Sequence, residues 1–161
     1  MSKFNVLSYD PWCYDNNLCL KVPFILALSI FYLSRHVIVP LIVFSIERKT
    51  QSEDMFYLLS GSNTLIYLPC GLAALVVALC WARRTPKAGT MVRRLWGRGR
   101  LWLLASALLD IGIRIATTTN LLKGFTLALL LLDIYVVLYL FISVRVRDVF
   151  ADFPELKPIK L

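Results

Sequence analysis

Histidine is nearly missing from this chain: His36 is the only one among 161 residues, so a single copy holds no multi-histidine metal site. Cysteine is sparse as well. Cys13, Cys19, Cys70 and Cys80 have neither the spacing of a disulfide framework nor that of a zinc ribbon. There is no zinc-protease motif, phosphate-binding loop, serine elbow or glycine-rich nucleotide turn. The sequence therefore predicts no enzyme, no catalytic residue and no cofactor. Also lacking is a charged start followed by a short apolar core and a small-residue cleavage site, so the N-terminus is expected to be retained.

Acidic residues are few, ten against eighteen lysines and arginines, for a net charge of +8. In a soluble protein that excess would raise the question of nucleic acid. Here 58% of the residues are apolar and mean hydropathy is +0.69, against about 45–50% apolar in ordinary soluble domains. The basic residues lie between the apolar runs, so the partner they imply is a lipid bilayer and not nucleic acid. The reading is one integral membrane domain over residues 1–161.

Runs of about 18 or more apolar residues are candidate spanning helices. They fall at Val22 to Ile46, Thr64 to Trp81, Leu101 to Thr119 and Gly124 to Val144, with Met55 to Leu59 as a short interfacial lead-in to the second. The expected fold is an all-α membrane protein, a bundle of four transmembrane helices. Its orientation follows from the segment 82–100, "ARRTPKAGTMVRRLWGRGR", which has seven basic residues and no acid. Positive loops stay cytoplasmic, so this loop and both termini are placed on that side. Thirteen basic residues then lie inside and only Arg48, Lys49 and Lys123 outside. Arg83, Arg84, Arg93, Arg94, Arg98 and Arg100 become candidates for contact with anionic headgroups or an acidic partner, and Trp96 for an interfacial anchor. Gly71, Ala74 and Ala78 stand at a small-residue spacing that lets a neighbouring helix approach.

Ionisable residues interrupt the apolar runs. Arg35 and His36 sit in the first, Asp110 and Arg114 in the third, Asp133 in the fourth. At about 1.5 Å rise per residue, Arg35 and Arg114 lie about 20 Å from the cytoplasmic ends of their runs, Asp110 about 14 Å and Asp133 about 17 Å. All four occupy one slab, and together they carry no net charge. The third run is the critical one. Its eight Leu and Ile residues supply about −4 kcal/mol of insertion free energy, whereas two isolated charges cost about +5 to +7 kcal/mol. It needs Asp110 and Arg114 paired at i,i+4 and that face, with Ser106 and Thr117 or Thr118, enclosed by other helices. Arg35 then takes Asp133 as partner. His36 points about 100° away from Arg35 on a helix and is expected to be a hydrogen-bonded packing residue, with proton transfer as its alternative role.

The ends of the chain, "YDNNLCLKVPFILALSIFYLSR" and "LLLLDIYVVLYLFISVRVRDVFADFPE", resemble the YfeZ-like family of bacterial inner-membrane proteins of unknown function. The matching positions are Tyr14, Asp15, Leu20, Lys21, Pro23, Arg35, Asp133, Ile134, Arg145, Arg147, Asp148 and Phe150, and Cys19 departs from the pattern. The resemblance implies a bacterial inner membrane and no particular activity. The function expected from all of this is an accessory or scaffold subunit of a larger membrane system. The alternative is an oligomeric transporter or proton-conducting element built on the Arg/Asp set. The expected partners are other membrane-protein subunits or further copies of the chain.

The Arg35 to Asp133 pairing makes a prediction at this level. Arg35→Asp lowers the yield of folded protein, and adding Asp133→Arg restores part of it, as measured by the monodisperse fraction in gel filtration.

Overall fold

The computed structural model describes residues 9–14, 19–50, 64–117 and 124–154. These form six α-helices and one short 3-10 turn at Pro11–Cys13. The helices are α1 (Phe24–Thr50), α2 (Thr64–Ala82), α3 (Thr90–Gly97), α4 (Gly99–Thr117), α5 (Gly124–Ile142) and α6 (Val144–Ala151). The expected interfacial lead-in at Met55 to Leu59 lies outside the described residues, as do Thr118 and Thr119.

The helices differ from the expected spans in ways that have local causes. The first begins two residues late because Pro23, which lacks an N–H, suits the position before the first turn, where its carbonyl accepts from Ala27 N at 3.0 Å. The basic segment 82–100 is not a plain loop. It contains the amphipathic α3, whose Trp96 side is buried, and α4 starts already at Gly99. The last run breaks at Ser143, whose hydroxyl accepts from Val146 N at 3.3 Å and so caps a new helix, α6.

Among the described residues, Phe24–Ile42 is long and apolar enough to cross a membrane. Thr126–Ile142 passes the same test only together with α6, from which it is bent by 66°. Ile66–Ala82 is apolar but shorter. In α4 the charges of Arg100, Asp110 and Arg114 dilute the apolar character.

The long helices pack in the order α1, α2, α4, α5, with α2 between α1 and α4, and α4 between α2 and α5. Buried side chains recur at helical spacing: Leu26, Ile30, Leu33 and Val37 on α1, and Cys70, Ala74, Val77 and Cys80 on α2. On α4 they are Leu103, Ser106, Ala107, Asp110 and Arg114, and on α5 Asp133, Val136 and Leu140. The small-residue stripe of α2 lies on the α1 seam. A Cβ on Gly71 would stand 2.7 Å from Val37 Cγ2 and 3.0 Å from the Val37 backbone nitrogen, so the two backbones meet where only hydrogen fits. Of the buried serines, Ser29 donates to Ile25 O at 2.8 Å and Ser34 to Ile30 O at 2.7 Å within α1, while Ser106 of α4 donates across to Cys70 O of α2 at 2.8 Å.

This contact yields a paired prediction. Gly71→Ala destabilises the fold by about 1–3 kcal/mol through overpacking. Gly112→Ala, where a Cβ meets nothing within 4 Å, is neutral or stabilises by up to about 1 kcal/mol. Thermal unfolding of the two variants in one detergent separates the effects.

Candidate functional site

The ionisable residues of the apolar runs converge on one point. Asp110, fully buried on the α4 stripe, is the centre. Its Oδ2 accepts from Arg35 Nη2 at 2.7 Å and lies 3.0 Å from His36 Nε2, while its Oδ1 accepts from Arg114 Nη2 at 3.3 Å. Asp133, also fully buried, faces the same guanidinium groups from α5, with Arg114 Nε at 3.3 Å and Arg35 Nη2 at 3.9 Å. Neither Asp133 oxygen makes a regular hydrogen bond among the described residues. Arg114 therefore bridges the two acids.

The structure brings together Arg35, Asp133, Asp110 and Arg114, but the pairing differs from that read by depth. The nearest acid to Arg35 is Asp110, and Asp133 is a second, longer contact. The reason lies in how Arg35 is held. Its Nη1 donates to Tyr32 O at 3.1 Å and its Cζ stacks 3.7 Å over the Tyr32 ring, so the side chain folds back along α1. The Tyr32 hydroxyl in turn donates to Leu129 O of α5 at 3.3 Å.

The 100° offset between Arg35 and His36 predicts different neighbours for the two, yet both reach the same Asp110 oxygen. A 100° separation at the helix surface is overcome by two long side chains reaching into one crevice. The imidazole is held in place by Tyr67 of α2, stacked at 4.9 Å and 13°, whose hydroxyl lies 3.2 Å from Thr117 Oγ1. Tyr67 escaped the sequence reading. Its signal was the stripe Tyr67, Gly71, Ala74, Ala78, in which the small residues bring α2 close enough for the ring to reach α1.

The basic segment divides. Arg83, Arg94 and Arg98 are exposed. Three others turn inward to backbone carbonyls. Arg84 donates to Leu20 O at 2.8 Å and Asp152 O at 2.9 Å, and Arg93 to Pro86 O at 3.0 Å. Arg100 reaches Leu140 O at 2.9 Å and Phe141 O at 2.8 Å. The last two carbonyls belong to the final turn of α5 and have no partner within the helix, so Arg100 caps it. Trp96 is not an interfacial anchor. It is 0% exposed, donates from Nε1 to Val149 O at 3.0 Å and packs on Phe150 at 4.8 Å, because the apolar side of α3 is covered by α6.

Nothing in the sequence pattern alone revealed how the chain ends meet. Tyr9 Oη donates to Asp148 Oδ2 at 2.8 Å, and that carboxylate holds the phenol above its ordinary pKa. Leu20 N donates to Asp152 Oδ2 at 2.7 Å. Cys13 is half-buried in this region and Cys19 buried.

Chemically, the cluster holds two carboxylates against two guanidinium groups and one imidazole. Removing one member of a buried ion pair costs about 3–5 kcal/mol, because its partner is left uncompensated. Asp110→Asn, which removes the nearest counter-charge of Arg35 and Arg114, is expected to cost that much, and Asp133→Asn less. Denaturation midpoints in detergent test the order, and an equal or inverted order would move the centre of the cluster to Asp133.

No curated protein and no solved structure matches the chain. One family's sequence model matches residues 9–152, from the tyrosine bound to Asp148 through the aspartate bound to Leu20. The chain belongs to that family, DUF2919, proteins of unknown function.

Proposed function

We propose that this chain is an all-α integral membrane protein of four transmembrane helices with both termini cytoplasmic, serving as an accessory or scaffold subunit of a larger membrane system. The observation that carries the membrane reading is an inverted distribution of polarity. All four long helices present large apolar side chains outward, among them Phe31 at 61%, Leu79 at 55%, Leu108 at 57% and Phe141 at 69% exposed, while Asp110 and Asp133 are at 0%. Water as the surrounding solvent favours the opposite arrangement. Helices α2, α4 and α5 have 19 residues each. That is about 28 Å at the usual rise, close to the roughly 30 Å of a hydrocarbon core. The basic segment between α2 and α4 supports the orientation, and the resemblance of the chain ends to YfeZ-like proteins supports a bacterial inner membrane.

A structural role is favoured because, among the described residues, the buried Asp110, Arg114 and Asp133 each face an opposite charge, and because the cytoplasmic arginines that remain outward are available to headgroups or to an acidic subunit. A second reading, a proton-conducting element, is supported by one observation. Asp110, His36, Tyr67 and Thr117 form a polar line from the cluster to the end of α4.

Two measurements decide between them. On the scaffold reading, proteoliposomes show no proton flux above protein-free vesicles, and mild-detergent extraction recovers a second protein in fixed ratio. Flux that disappears in His36→Gln while folded yield holds would overturn it in favour of conduction. Cytoplasmic location of a C-terminal reporter checks the orientation separately.

A further inference from the structure

Between α2 and α4, beneath α3, runs an open groove of about 520 Å3 lined by Pro69, Leu72, Ala73, Val76, Leu95 and Trp102. Its lining is almost wholly apolar, and its volume is in the range of small-molecule sites, roughly 300–1,000 Å3. Ala73 is the small residue that opens the wall on the α2 side, and Trp102 of α4 forms the opposite wall. Along α2 the groove reaches Pro69, thirteen residues before the helix ends at Ala82, or about 20 Å from that end. One leaflet of a bilayer is about 15 Å of hydrocarbon. The groove thus has the reach and direction of one acyl chain lying parallel to the helices.

Two exposed arginines adjoin residues that line the groove. Arg98 is the turn residue between α3 and α4, and its N–H donates to Leu95 O at 3.2 Å, so it joins two residues that line the groove. Its backbone carbonyl accepts from Trp102 N at 3.2 Å, which fixes the junction of α3 and α4 at this point. Arg94 precedes Leu95 directly. Both arginines are exposed, and neither has an ion-pair partner among the described residues. The contrast with Arg84, Arg93 and Arg100, which are bound to backbone carbonyls nearby, is informative. Of the three exposed arginines in the segment, Arg83, Arg94 and Arg98, the last two are the ones next to residues that line the groove.

We propose that this groove seats one anionic phospholipid of the cytoplasmic leaflet, with an acyl chain along Ala73 and Val76 and its phosphate group at Arg98 and Arg94. The proposal rests on the membrane reading above. The apolar lining selects a chain, the absence of any acid between Ala82 and Arg100 selects a negative headgroup, and Trp102 sits where interfacial tryptophans sit. A bound lipid would wedge α3 against the bundle and so hold the basic segment in register with the bilayer surface.

Native mass spectrometry of the full chain in mild detergent tests this, with phosphatidylglycerol and phosphatidylcholine of identical acyl chains as probes. The expected result is a single-lipid adduct that favours phosphatidylglycerol. Each of Arg98→Gln and Arg94→Gln lowers that preference about fivefold, in line with the roughly 1 kcal/mol that a cation near an anionic surface contributes. Ala73→Phe fills the groove and reduces adducts of both lipids several-fold. Val76→Trp, at a partly exposed position, does the same should Ala73→Phe not fold. Equal adducts of the two lipids, or adducts unchanged in a folded groove-filling variant, overturn the proposal, as does a protein helix found in the groove. Recovery of the chain in the soluble fraction without detergent would overturn the membrane reading itself, a result distinct from failure to discriminate lipids.

Discussion

A buried carboxylate without water must find its counter-charge in other parts of the chain, and in this fold Asp110 is where that requirement is met. Its two oxygens gather Arg35 and His36 from α1 and Arg114 from its own helix, and Arg114 extends the set to Asp133 of α5. Ion pairs of this kind add little net stability when compared with a well-packed apolar interior. What they add is registry. Sliding α1 along α2 by one turn would withdraw both Arg35 and His36 from Asp110, an error that apolar side chains alone would penalise much less. The Gly71 contact with Val37 works in the same direction, since it sets the separation at which the imidazole and the carboxylate meet.

At the opposite end from Thr117, polar chemistry is used differently. There the chain closes its loose groups with arginine: Arg100 on the last carbonyls of α5, and Arg84 on Leu20 and Asp152. The turn at Ser143 lays α6 back under α3, where Trp96 fills the space between them. The outcome is a cap built from the first residues described, the middle segment and the last helix, with each held by hydrogen bonds to the others.

The helical class and the four Arg and Asp members of the cluster were legible in the sequence because both follow from composition and period, whereas the places of His36 and Tyr67 in it were not. Asp110 and Arg114 at i,i+4 beside Ser106 describe a buried stripe, and α4 buries that stripe. Which cation meets which acid was not legible. Depth along a helix ranks Arg35 and Asp133 as equals, whereas the packing order α1, α2, α4, α5 puts α4 nearer to α1 than α5. The fate of Trp96 and Arg100 was hidden for a related reason. A tryptophan among arginines fits a membrane interface as well as an interior, and only the bend at Ser143, a single residue with ordinary spanning neighbours, decides between them.

The distance in sequence between bonded partners also sets an order of events during synthesis. Arg35 leaves the ribosome 75 residues before Asp110, which at about 5–20 residues per second is a delay of roughly 4–15 s. Tyr9 waits for Asp148 across 139 residues. The first helix must therefore persist for several seconds with its cation unanswered, and the cap cannot form until Asp148 and Asp152 have been made. Over that interval a nascent chain of this protein is an unfinished complex of its own parts.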